Sequence, residues 1–196
     1  MIPVKNHGKM EEKMEINIRS IMTHLTAFLL GMVVTIAFLS FTENSGTRIN
    51  IPEGLGKEHS YVAWQCMNVP STVQNRLREE SGMQFDSEGF GVIDGRYVIA
   101  CTDTYGMVGD RVDFHKANGQ VIHAVIGDIK NRRSPGCNVW GDRDGQNIIE
   151  FVVDKDTWYT GHVVPGSPDC HPEWDSETVQ AVNFGKMEVI RAASAK

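Results

Sequence analysis

The stretch Gly109 to Lys130, GDRVDFHKANGQVIHAVIGDIK, combines residue types and spacing that could carry chemistry. A strand enters after a Gly-Asp pair, turns at Asn118-Gly119 and returns to end at Gly127-Asp128, so one carboxyl group stands where a strand gives way to a loop. A carboxyl in that position can give and take a proton if a substrate reaches it. The alternative is a turn residue whose side chain bonds to local backbone. Tyr105, Trp140 and Trp158 lie in or beside predicted loops. Aromatic faces there either stack on the apolar faces of sugar rings or fold back onto the core.

Other chemistries find less support. His162, Cys170 and His171, with Cys137, are zinc-ligand types, but no Cys-x-x-Cys pair accompanies them. Asp142-Arg143-Asp144-Gly145 lacks the further spaced ligands of a calcium loop and reads as a polar turn. There is no Gly-x-Ser-x-Gly, phosphate-binding loop or dinucleotide fingerprint. No metal and no cofactor is expected, and a formal net charge of −6 argues against a nucleic-acid partner.

The elements that would position these residues are mostly strands. GRYVIACT, RVDFHK, QVIHAVIGD, NIIEFVVD, VQAVNF and KMEVIRA show period-two or β-branched runs, and YVAWQC is a further short strand. STVQNRLREE, after Pro70, predicts the one short helix, with Ser71 or Thr72 as cap and Gly82 as terminator. Two long loops, Ile129 to Gln146 and Lys155 to Glu177, interrupt the strands. The pattern predicts a mainly β domain over residues 61–192, closed as a small barrel of six or so strands.

Ahead of it, IMTHLTAFLLGMVVTIAFLSF (Ile21 to Phe41) contains no Asp, Glu, Lys or Arg. As a helix it would span roughly 30 Å, the hydrocarbon thickness of a bilayer. The alternatives are a cleaved signal peptide and a buried core helix. Four basic residues precede the segment, which places the N-terminal tail, residues 1–20, in the cytoplasm and everything from Thr42 outside. Residues 42–60 are polar and unpatterned and read as a flexible stalk. Cys66, Cys101, Cys137 and Cys170 would then sit where disulfides persist, in any of three connectivities, Cys137 with Cys170 favoured by their Pro/Gly-rich loops; free buried thiols are the alternative.

YVIACTDTYGMVGDRVDFHKANGQVIHAVIGD, followed by NIIEFVVD, resembles the double-psi β-barrels of the three-aspartate (3D) domain and of the related rare-lipoprotein-A-type and MltA-type lytic transglycosylases. Small membrane-anchored proteins of Firmicutes and their prophages carry such barrels. The resemblance covers about residues 95–154. It implies a six-stranded barrel and three acidic positions: Asp103 early, Asp128 at the strand end, and Glu150 in Ile149-Glu150-Phe151. The family's Asp-Thr-Gly-Gly after the key Asp is here Asp128-Ile129-Lys130-Asn131, and the third acid is Glu rather than Asp.

The resemblance implies an extracytoplasmic cell-wall protein acting on peptidoglycan or another wall glycan. Asp128 would be the acid/base, its pKa raised by partial burial beside Asp103 or Glu150, with Tyr105, Trp140 and Trp158 on the sugar. A non-catalytic module that binds glycan or a partner protein at the envelope is the rival expectation.

Overall fold

The computed structural model describes residues 22–28, 46–161, 171–188 and 190 of the 196. The chain divides into two units, residues 1–45 and 46–196. In the first, residues 22–28 are helical. Among the described residues no helix is long and apolar enough to cross a membrane. The rest of the expected anchor, Ile21 and residues 29–41, lies outside them.

The second unit is mainly β. Its described strands are β1 (Thr47–Asn50), β2 (Glu58–Ala63), β3 (Gln84–Phe85), β4 (Gly91–Ile93), β5 (Arg96–Thr102), β6 (Asp110–Lys116), β7 (Val121–Lys130), β8 (Asn147–Val153) and β9 (Thr178–Lys186). Two helices accompany them, α1 (Val73–Glu80) and α2 (Lys155–Gly161). β5 is central: it runs parallel to β7 on one edge and antiparallel to β4 and then β8 on the other. From β7 the antiparallel order continues through β6 and β9 to β1, while β8 takes β2 as a parallel neighbour. The chain between β1 and β2 stays attached as it passes, Ile51 N–H donating to Val179 O at 3.1 Å and Thr178 N–H to Leu55 O at 3.1 Å.

Both faces of the central strands are buried, which is why GRYVIACT and VIHAVIGD read as nearly continuous apolar runs. One core cluster takes alternate residues of β5 to β8, among them Ile99, Cys101, Phe114, Ile126 and Phe151. The other takes Val98, Val125 and Val152, covered by Met67 and by Leu77 of α1. Each such side chain contributes about 1.5–3 kcal/mol by leaving water. α1 starts where the Thr72 hydroxyl accepts from Asn75 N–H at 3.2 Å, satisfying a donor that the helix itself leaves free.

Four expectations are corrected. Residues 47–50 and 58–60 are strand rather than stalk: their side chains are polar, but their backbone groups find partners on β9 and β8. The strand expected over YVAWQC starts earlier, at Glu58, and passes into a 3-10 turn at Trp64–Met67. The loop after Lys155 opens with α2, so the domain has more than one helix. Of the strand expected over KMEVIRA, the described residues show only Lys186, where β9 ends; residues 188 and 190 are helical.

Candidate carboxylate site

β5 brings two of the three acidic residues together. Ala100 pairs with Asp128 of β7 on one side and with Glu150 of β8 on the other. Strands lie about 4.8 Å apart, so the two acidic Cα atoms stand ~10 Å apart in one lateral row, facing the same side of the sheet. The row depends on an irregularity in β7. Pairing steps from Ile99↔Ile126 to Ala100↔Asp128, leaving Gly127 as the extra residue of a bulge. A Cβ at Gly127 would lie 2.4 Å from Val98 Cγ1 and 2.9 Å from Met67 Sδ, so only glycine fits.

Asp128 is half-buried and asymmetrically held. Its Oδ1 accepts from Ile129 N–H at 2.9 Å and from Gln74 Nε2 of α1 at 3.1 Å. Its Oδ2 makes no hydrogen bond among the described residues, which leaves one oxygen able to carry or take a proton. Glu150 likewise accepts on one oxygen only among the described residues, but one of its donors is a cation. Its Oε1 accepts from Ser60 Oγ of β2 at 3.1 Å and from Lys130 Nζ of β7, and Asn147 Nδ2 holds Ser60 at 2.6 Å.

Lys130 also donates to Asp142 Oδ2 at 3.1 Å. Its burial disfavours the charged form, but the hydrogen bond and charge of Glu150, then those of Asp142, outweigh that and raise its pKa. Cys66 faces both acids. Burial, then the charges of Asp128 and Glu150, push its thiol up to about 12, so it is no nucleophile at neutral pH.

Asp103 stands apart from the row, on the turn after β5, with Arg132 Nη2 3.5 Å from its Oδ2. The expected sugar-stacking aromatics divide differently. Tyr105 is fully buried, edge-on to Phe114, its hydroxyl donating to Trp140 O at 2.8 Å. Trp158, 2% exposed, packs edge-on to Phe90 with ring centroids 4.4 Å apart. Both are core residues, out of reach of a ligand at the surface. Trp140 is half-buried and packs against the core.

Cys66, Cys101 and Cys137 are free thiols, and no bridge joins any two of them. Cys170 and His162 lie outside the described residues. His171 contacts carboxylates instead, Nε2 to Glu88 at 2.7 Å and Nδ1 to Glu173 at 2.8 Å.

Three residues of the site escaped the sequence reading: Lys130, Ser60 and Gln74. Lys130 could have been found, since it follows Asp128 by two positions and so shares its side of the strand. Ser60 and Gln74 are 90 and 54 positions from their acidic partners, and no local pattern marks them. Two open depressions of about 350 and 440 Å³ adjoin at Ser81 and Asp94, and neither includes Asp128 or Glu150. Comparison of the chain with family models, with curated proteins and with solved structures finds no match.

Proposed function

We propose that this is a membrane-anchored, extracytoplasmic cell-wall protein whose β domain cleaves peptidoglycan glycan, with Asp128 as acid and base. In this reading residues 21–41 hold the chain in the bilayer with the N-terminus cytoplasmic. β2, β5, β6, β7, β8 and β9 form a six-stranded double-psi barrel, closed by the passage of residues 47–63 from β9 to β8. The observation that carries the proposal is the Asp128–Ala100–Glu150 row, in which each carboxylate accepts on one oxygen only among the described residues and Glu150, unlike Asp128, is neutralised by a lysine.

The chemistry follows from that difference. Protonated Asp128 donates from Oδ2 to the glycosidic oxygen as the bond breaks and positive charge develops on the sugar. The resulting carboxylate then accepts the proton of the muramic acid's own 6-hydroxyl, whose oxygen attacks the anomeric carbon and gives an anhydro-sugar. Glu150, with its charge offset by Lys130, organises the strand row and leaves the proton transfers to Asp128. Asp103, paired with Arg132, belongs to the rim of the site.

The rival, a non-catalytic module binding glycan or a partner protein at the envelope, draws on the same salt bridge. A carboxylate already compensated by Lys130 lends less stabilisation to a cationic transition state. The full chain, purified and incubated with peptidoglycan sacculi, separates the two. Release of anhydro-muropeptides that Asp128→Ala abolishes supports cleavage. Saturable binding without product would replace that reading with the rival.

A further inference from the structure

A second group of side chains lies inside the domain, away from the carboxylate row. Lys116, 2% exposed, shares the inner face of β6 with Val112 and Phe114. Its ammonium donates to three neutral acceptors: Gly56 O at 2.8 Å, Thr178 Oγ1 at 3.1 Å and His59 Nε2 at 3.1 Å. Thr178 Oγ1 in turn donates to Gly56 O at 2.9 Å. These bonds gather β2, β6, β9 and the chain between β1 and β2 around one buried nitrogen.

His59 is the member of this knot that cannot gain a proton and stay. Because Lys116 donates to Nε2, the ring's own proton sits on Nδ1, which is buried and has no hydrogen-bond partner among the described residues. A second proton would set Nε2–H against the ammonium, two donors 3.1 Å apart. Among the described residues no carboxylate bonds to the ring; Glu88 and Glu173 bond to His171 instead. The His59 ring faces Lys116 from β6, His171 ahead of the 3-10 turn Pro172–Trp174, and the rings of Phe151 and Trp174 at 6.0 and 6.1 Å. Asp175 acts on Lys116, and is itself 3.9 Å from Lys57. Burial above all, then Lys116 and His171, hold His59 down to about 3. His59 is also the neighbour of Ser60, whose hydroxyl reaches Glu150 from the adjacent position of β2.

We propose that the Lys116–His59 contact is a proton-operated fastening: proton uptake by His59 releases residues 51–57 from β9, loosens the start of β2 on β8 and withdraws Ser60 from Glu150. The carboxylate row is then assembled at neutral pH and loosened in acid. That consequence rests on reading the row as the functional site, but the opening itself does not.

Hydrogen exchange on the full chain at pH 7 and pH 5, corrected for intrinsic rates, tests it. The amides of Ile51, Gly56 and Thr178, which hold the seam, should lose about 25-fold in protection, as expected for a group titrating near 6.5 when open and about 3 when closed. The amides of Ile99 and Val125 should keep theirs. His59→Gln retains an acceptor for Lys116 but cannot titrate, and should abolish the response. Lys116→Met removes the opposing charge but not the burial that contributes most, and should reduce it only modestly. Seam protection that is independent of pH in the wild type, or a full response in His59→Gln, overturns the proposal. Because this readout needs no catalysis, loss of the glycan-cleaving reading would leave it intact, and the reverse also holds.

Discussion

Lys130 and Lys116 sit in the same domain under opposite rules. Lys130, at the carboxylate row, is partly exposed and lies between two acids, which fix its charge. Lys116 is almost wholly buried among neutral acceptors, and burial lowers its pKa to about 8 despite the pull of Asp175. The first amine is held by charge and the second by hydrogen bonds that meet all of its donors. A buried cation with no carboxylate beside it is costly, so the second region stores instability that protons can release.

Truncating the two lysines should therefore hurt unequally. Lys116→Ala leaves a cavity and strips the donor from Gly56 O and His59, and should cost about 3–4 kcal/mol in denaturant unfolding. Lys116→Met, which fills the space, should cost much less. Equal losses would mean that the hydrogen bonds, rather than the volume, hold the seam.

The alkaline limb of stability tells the lysines apart without mutation. From about pH 8 to 10.5 the unfolded chain keeps a proton on Lys116 that the folded chain has shed. Stability from this group thus rises with pH in that window, by on the order of 2–3 kcal/mol. Lys130, with its folded pKa raised, adds stability that is lost as pH climbs through that raised value. Thermal melts of Lys116→Met against wild type over pH 7 to 10.5 should show the rise only in the wild type.

Lys130→Ala should have the smallest effect. It leaves Glu150 and Asp142 uncompensated at a half-wet surface and should cost about 1–2 kcal/mol in the same unfolding measurement. A loss as large as that of Lys116→Ala would erase the distinction between the two regions.

How much of this the sequence disclosed followed from distance along the chain. α1 and the β6–β7 hairpin rest on local signals, the Thr72 cap and the Asn118-Gly119 turn, and both stand where those signals put them. β1 and the start of β2 had no such signal. TRIN and EHS are mostly polar, and they become strand only because β9 and β8 offer them partners 89 to 136 positions away. Tyr105 and Trp158 sit in loop-like composition, yet tertiary packing draws them into the core. The Lys116 knot left one readable trace: Val112, Phe114 and Lys116 alternate on one strand face, so a lysine continues a buried row. At the site, Asp128 was singled out at an expected strand end, but β7 runs on to Lys130, so Asp128 lies within the strand, and its row with Glu150 through Ala100 depends on the bulge at Gly127.

The central claim is that one carboxylate of the row is compensated by a cation and the other is not. Anhydro-muropeptide release should be measured side by side for wild type, Asp128→Asn and Glu150→Gln, each first shown to be folded. The account predicts that Asp128→Asn loses at least ~100-fold and Glu150→Gln less than ~10-fold, since Gln can still accept from Ser60 and Lys130. Release by Asp128→Asn at the wild-type rate, or a greater loss in Glu150→Gln, would contradict it.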